Sequence, residues 1–297
     1  MSAMQKNNEN PSVPVRHMDF GFQDMALPTY FYDNDAFAST FFMAFSAVIP
    51  QGERFFIESV RRYRKRISDP DLQARVAGFI GQEAMHGKEH DAVNAAYTAK
   101  GFPLRGLDRA TGKALAVLQK KLPARIQLSV TVALEHYTAI ISEYTLTHPE
   151  VQEKFASGVR EFILWHMMEE TEHKAVAYDV YEETIGSYAI RAGIMVPVTV
   201  ALVGALLHAQ LVLLRTDKSQ RGFFKHLKGI AQIYGPRGLY ASVLPRLLDY
   251  FKPGFHPNQH DTEALLKEWQ ERLLGEQGAI KAQHKRTVQP KRVVATA

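Results

Sequence analysis

Residues 165–174 read WHMMEETEHK and place His166, Glu170 and His173 at successive spacings of four and three. An α-helix turns about 100° per residue, so these side chains fall within roughly 60° of one another. One helix therefore offers a metal two imidazoles and a carboxylate on a single face.

A second segment repeats the device. Glu83 and His86, in FIGQEAMHGKEH, share the Glu-x-x-His spacing, and His90 follows four residues later on the same face. A lone Glu-x-x-His arises about once by chance in a chain of this size. Two of them, each on a helical stretch and each with a further histidine at a compatible spacing, carry more weight. Glu53, in ERFFIESVRRY, shares its face with Phe56, Ile57 and Val60, and Glu135, in VTVALEHYTAIIS, has almost nothing polar around it. Burying such a carboxylate unpartnered costs several kcal/mol, so each needs a cation or a proton. Inward carboxylates from two further helices are what a helical bundle uses to bridge or cap a metal pair.

The order Glu53, Glu83-x-x-His86, Glu135, Glu170-x-x-His173 resembles the ferritin-like di-iron carboxylate superfamily. The wording GERFFI, QEAMHGKEH, ALEHYTA and WHMMEETEHKAVAYDVY is similar to that of a bacterial family described as predicted metal-dependent hydrolases, over about residues 30–270. This resemblance implies an all-α fold, a four-helix bundle with two Glu-x-x-His helices, extended here by an apolar helical C-terminal region. The added His166, four residues before Glu170, is similar to the fourth-helix pattern of di-iron arylamine N-oxygenases, where that imidazole is a metal ligand. The likeness is one of ligand pattern only, and it implies His166 as a seventh ligand.

Several neighbours compete for roles. Glu169 also faces inward, and periodicity alone does not separate it from Glu170; the three-residue spacing shared with Glu83 and His86 favours Glu170. His166 has the alternative of orienting Glu170 rather than binding metal, and His90 is a ligand, a ligand's partner or a substrate contact. His136 points about 100° away from Glu135 and is expected to be packed or to support a ligand. Glu58, Glu89 and Glu172 read as surface charges, and Tyr137, Tyr178 and Tyr181 as packing aromatics.

The chain has 297 residues, 46% hydrophobic, enough for one large domain or a domain with an appendage. It has no cysteine, which excludes disulfides, thiolate sites, iron–sulfur clusters and a cysteine nucleophile. Any metal must take nitrogen and oxygen ligands, which favours iron or manganese over a structural zinc; the resemblance implies two iron ions, with manganese as an alternative and zinc if the chemistry is hydrolytic. A net charge of +5 and a pI near 9.2 are modestly basic, and no nucleic-acid motif accompanies them. Residues 1–17 lack the apolar core of a secretory signal, so a cytoplasmic location is expected.

Asp69 and Pro70 predict a helix start, Gly101 and Pro103 its end, and Pro123 the opening of a third helix after a long connection. A kink is expected near Pro50 and Gly52, and no strand is predicted. The divisions are a disordered lead over 1–25, the metal-binding bundle over 30–186, an apolar and basic extension over 187–275, and a disordered basic tail over 276–297. Residues 192–214 are almost wholly apolar and long enough to span a bilayer, and Lys218, Arg221, Lys225 and Lys228 follow, interleaved with Phe223 and Phe224. A membrane surface, such as the inner face of the cytoplasmic membrane, a wall for a lipophilic tunnel and a dimer interface all fit this pattern. A final amphipathic helix is expected from Asp261 to about Gly275.

The functional expectation is a di-iron enzyme that uses dioxygen to oxidise a small lipophilic or aromatic substrate, acting as a homo-oligomer with an electron donor the sequence does not name. The alternative is a metal-dependent hydrolase, for which no Gly-x-Ser-x-Gly or His-Glu-x-x-His motif is present. Metal storage is the third reading, disfavoured by the long apolar C-terminal half.

Overall fold

A computed structural model describes residues 12–220 and 222–290, the side chain of Ser219 excepted. Helices dominate, as expected of an all-α chain. The first, α1 (Ala36–Arg61), starts where the Asp35 carboxylate accepts from Ala38 N at 2.8 Å, and it continues through Pro50. The second, α2 (Pro70–Ala99), is capped by Asp69, with Pro70 in the first turn where a missing N–H costs nothing. Gly101, at φ +97°, turns the chain out of it. The long connection that follows contains α3 (Leu104–Lys121), which packs on α1 and α2.

Pro123 then opens α4 (Ala124–Thr147), and a short turn, α5 (Pro149–Gln152), leads to α6 (Val159–His173). Gly158 enters α6 at φ +85°, and the Glu161 carboxylate accepts from its N–H. The helix stops at His173 and resumes as α7 (Val176–Thr184), so the fourth segment of the bundle is broken before Gly186. Helix α1 packs on α2 and α4, and α6 packs on α4 and α2. Residues beside the inward carboxylates and histidines feed two apolar clusters: Met85, Trp165 and Met168 in one, Phe55, Phe79 and Val132 in the other.

The extension consists of α8 (Tyr188–Leu214), α9 (Leu227–Tyr234), α10 (Leu239–Leu248) and α11 (Glu263–Leu274). Helix α8 lies along α1 and α4, burying Met195, Val198, Leu206, Ala209 and Leu213. Among the described residues it is the one helix long and apolar enough to cross a membrane.

The ends of the chain correct two expectations. Residues 15–18 form β1 (Val15–Met18), which pairs antiparallel with β2 (His284–Val288), Arg16 opposite Thr287. The predicted disorder of 1–25 and 276–297 therefore fails over 15–25 and 276–288. The N-terminal part is held because Val13, Met18, Phe20 and Phe22 are buried in the core. The strand β2, HKRTV, is largely exposed; backbone pairing holds it, so its side chains carry no alternation to read. Residues 1–11 and 291–297 lie outside the described residues, as does Arg221.

Candidate metal centre

The four bundle helices bring seven buried side chains to one point: Glu53 from α1, Glu83 and His86 from α2, Glu135 from α4, and His166, Glu170 and His173 from α6. Six of them fall into two separate sets of three, and Glu170 belongs to neither. Donor atoms of Glu53, His86 and His166 all lie within 4.8 Å of one another, as do those of Glu83, Glu135 and His173. Glu83, His86 and Glu170 form a third such group that joins the two. Glu170 sets one oxygen 3.0 Å from His166 Nε2 and 3.4 Å from His86 Nδ1, and the other 3.5 Å from His173 Nε2. Glu83 Oε1 lies 3.1 Å from His173 Nε2 and 3.7 Å from His86 Nδ1. Glu83 and Glu170 thus stand between the sets, whereas Glu53 faces His86 and His166, at 3.9 and 3.8 Å, and Glu135 faces His173 at 3.5 Å.

These atoms are orphans. Both carboxylate oxygens of Glu53, Glu83 and Glu135, one of Glu170, His86 Nδ1 and His173 Nε2 are buried with no hydrogen-bond partner. Leaving such groups unpaired costs several kcal/mol per ion, and here they converge. Burial, then the facing carboxylate Glu83, pushes Glu53 and Glu135 well above the ordinary carboxyl range. Burial opposes charge on His86 and His173 too, but the surrounding glutamates outweigh it and hold both well above the usual imidazole value. Glu170, despite its burial, is drawn well below by His173 and His166. Metal ions held between these groups would neutralise the carboxylates and partner the orphaned atoms.

Each imidazole has its outer nitrogen committed elsewhere. His86 Nε2 lies 3.0 Å from Glu169 Oε2, and His173 Nδ1 lies 2.9 Å from Gln82 Oε1. Gln82 Nε2 donates to Glu172 at 2.7 Å, which fixes its oxygen toward His173. Arg16 joins both arms: its guanidinium donates to Glu169 at 2.8 Å and twice to Glu172, at 2.8 and 2.7 Å. His166 is fixed by a longer chain. Asn94 Nδ2 donates to the Ser46 carbonyl at 2.7 Å, so its Oδ1 accepts from the Ser46 hydroxyl at 2.7 Å. Ser46 Oγ is then free to accept from His90 Nδ1 at 2.8 Å, and His90 Nε2 to accept from His166 Nδ1 at 2.8 Å. In the neutral form of all three imidazoles, the form a metal binds, the committed outer nitrogen carries the proton and the nitrogen aimed at the cluster keeps its lone pair.

The structure therefore separates the sequence candidates. Glu170 belongs to the central group and Glu169 lies behind His86. His90 lies behind His166. His136 is outside the site, Nε2 3.2 Å from the Leu247 carbonyl and its ring against Tyr250, with burial pushing its pKa down to about 4. Tyr137, Tyr178 and Tyr181 bond Thr199, the Phe255 carbonyl and the Ser187 carbonyl, away from the cluster. Two readings are corrected: Glu172 and Glu89 are 3% and 2% exposed, not surface charges. Glu172 is neutralised by Arg16, and Glu89 accepts from Phe20 N and Lys88. Both partners come from, or hold, the N-terminal segment, which reads in sequence as a disordered lead. Arg16 was missed for the same reason; Gln82, on α2 beside Glu83, is a neutral side chain whose role no spacing marks.

A cavity of about 840 Å³, its mouth included, opens onto the cluster at His166 and Glu170. Aromatic and aliphatic side chains such as Phe41, Phe45, Phe162, Ile163 and Met167 line most of it, and among the described residues no lysine or arginine lines it. Ser46, His90, Asn94, Thr138 and Thr145 add polar groups beside His166 and Glu170.

Fold and site together define a helical protein with a buried carboxylate–histidine cluster able to hold metal ions. The chain belongs to the family described as predicted metal-dependent hydrolase, whose model matches residues 14–261. Comparisons with curated proteins and with solved structures found no significant match.

Proposed function

We propose that the protein is a ferritin-like di-metal oxidoreductase, with iron as the preferred metal and manganese as the alternative, that oxidises a lipophilic or aromatic substrate with dioxygen. Glu53, His86 and His166 would hold one ion, Glu135 and His173 the other, and Glu83 and Glu170 would be shared. Metals held in this way would supply the redox chemistry that the side chains cannot. The observation that carries the reading is the cavity: it is apolar, and it ends on His166 and Glu170, at the nitrogen-rich half of the site. Its aromatic walls suit a greasy or flat molecule, and among the described residues no lysine or arginine lines it to pair a phosphoryl or carboxylate group. The apolar walls also exclude water from the reacting edge. The committed outer nitrogens of His86, His166 and His173 keep the ligand atoms oriented as substrate enters.

Hydrolysis is the second reading, and the family's description favours it. The same residues would then hold ions, zinc among them, that acidify a bound water. No activated side-chain nucleophile competes with that water, since the Ser46 hydroxyl is committed to Asn94.

The discriminating experiment loads the protein with ferrous iron under argon and then admits oxygen. Oxygen uptake with a transient visible absorption band is the expected result, and His166→Ala should change the lifetime of that band without emptying the site. Hydrolysis of model esters by zinc-loaded protein under argon, with a ferrous form inert to oxygen, would replace oxidation by hydrolysis.

A further inference from the structure

Helix α8 is inverted relative to an ordinary surface helix, because both of its faces are apolar. Its inner face packs on the bundle, but Val196, Val200, Leu207 and Leu211 point outward, 56%, 70%, 42% and 52% exposed. From 192 to 214 the chain has no Asp, Glu, Lys or Arg. A water-facing helix places charge on that side, so this face is built to be covered.

The patch continues at both ends of the helix. At the start, Tyr188 and Arg191 bond the backbone at Phe251 and Tyr250, and nearby Leu248 of α10 is half exposed. Past the end, Phe223 and Phe224 stand 65% and 85% exposed in a 3-10 turn, followed by exposed Leu227. Arg215, Lys218, Lys225 and Lys228 are exposed around them, Lys228 also reaching Asp33 at 3.0 Å. Between 188 and 248 the sequence contains one carboxylate, Asp217, and it accepts from the Tyr30 hydroxyl.

We propose that the outer face of α8, with the Phe223–His226 turn and its basic residues, docks on the surface of an anionic phospholipid bilayer, α8 lying along the membrane. Charge complementarity selects this occupant. A second copy docking through the same face would bring cations and almost no carboxylates, whereas lipid headgroups supply the missing anions and the acyl boundary receives the phenylalanines. The helix lies along the bilayer because crossing it would strip its inner contacts, including the hydrogen bond from Gln210 to the Phe37 carbonyl at 3.0 Å. The inference is independent of the reaction at the metal centre.

Flotation of the full chain with mixed phosphatidylcholine–phosphatidylglycerol vesicles, and with phosphatidylcholine alone, tests it. Binding to the mixed vesicles is expected, weakened by salt and on the order of tenfold lower or more on the neutral ones. Phe223→Ser with Phe224→Ser, and separately Lys218→Glu with Lys225→Glu, should each reduce it by on the order of tenfold or more while the helical circular dichroism is unchanged. Absence of flotation, or flotation unaffected by both pairs of substitutions, overturns the proposal. So does a stable dimer in sedimentation that does not bind vesicles, which makes the second copy the occupant.

Discussion

Arg16 donates to Glu169 at 2.8 Å across 153 residues of chain, and that contact helps decide which nitrogen of His86 faces the cluster. With one Glu169 oxygen held by the guanidinium, the other is positioned on His86 Nε2, so Nδ1 is the nitrogen turned inward. The same guanidinium reaches His173 through Glu172 and Gln82.

Arg16→Met should therefore be costly in two ways. It strands two buried carboxylates, a loss of about 3–5 kcal/mol in unfolding free energy. It also loosens two of the three imidazoles, so metal affinity should fall about 10–100-fold in a competition titration. Adding Glu172→Gln should return part of the stability. Unchanged melting and affinity in Arg16→Met would show that the bracket is idle.

The seven central residues were legible because each sits on the inward face of a helix, and helical periodicity predicts faces. Their supports were legible only in part. Glu169 and Glu170 are adjacent and both buried; the shared three-residue spacing favours Glu170, and the structure adds that Glu169 stands behind His86. Glu172 reads as a surface charge because its partner, Arg16, lies at the far end of the sequence on a four-residue strand with no readable alternation. Tertiary pairing of this kind leaves no local signal.

Purified protein should carry close to two metal ions per chain, one for each of the two separate three-residue donor sets. Glu170→Ala removes the carboxylate that touches both sets and should lose both ions; His86→Ala should weaken at least one. Elemental analysis of the variants beside wild type is the check, and full retention in both would refute the site.

The two positions should be separable. His90→Phe removes the acceptor that keeps the proton on His166 Nδ1. Only the set containing His166 depends on that chain, so one ion should weaken about 10–100-fold while the other stays tight. Biphasic chelator release from His90→Phe, against slow uniform release from wild type, is the expected readout.

Metal binding should expel protons, and the sign follows from the shifts. Glu53 and Glu135 are raised well above 4.5, and His86 and His173 well above 6.5. Groups raised on folding stabilise the metal-free fold fully below their unfolded values, and that contribution is lost as pH rises through the folded ones. Glu170, lowered, acts oppositely, its contribution lost only as pH falls below about 4.5. Chelated protein should thus lose melting temperature as pH rises beyond the ordinary carboxyl and imidazole ranges while loaded protein holds, so the gap between them widens. A gap that narrows with rising pH would contradict the buried, proton-sharing cluster.

The pairing of β1 with β2 also sets an order of events in the cell. Arg16 precedes every helix in the chain, and the strand opposite it, with Thr287 in register, follows them all. The four helices can gather their glutamates and histidines before the backbone partner of Arg16 is synthesised. Seating of the Arg16 bracket is thereby tied to the synthesis of β2, and a translation product that stops short of His284 would lack that lock.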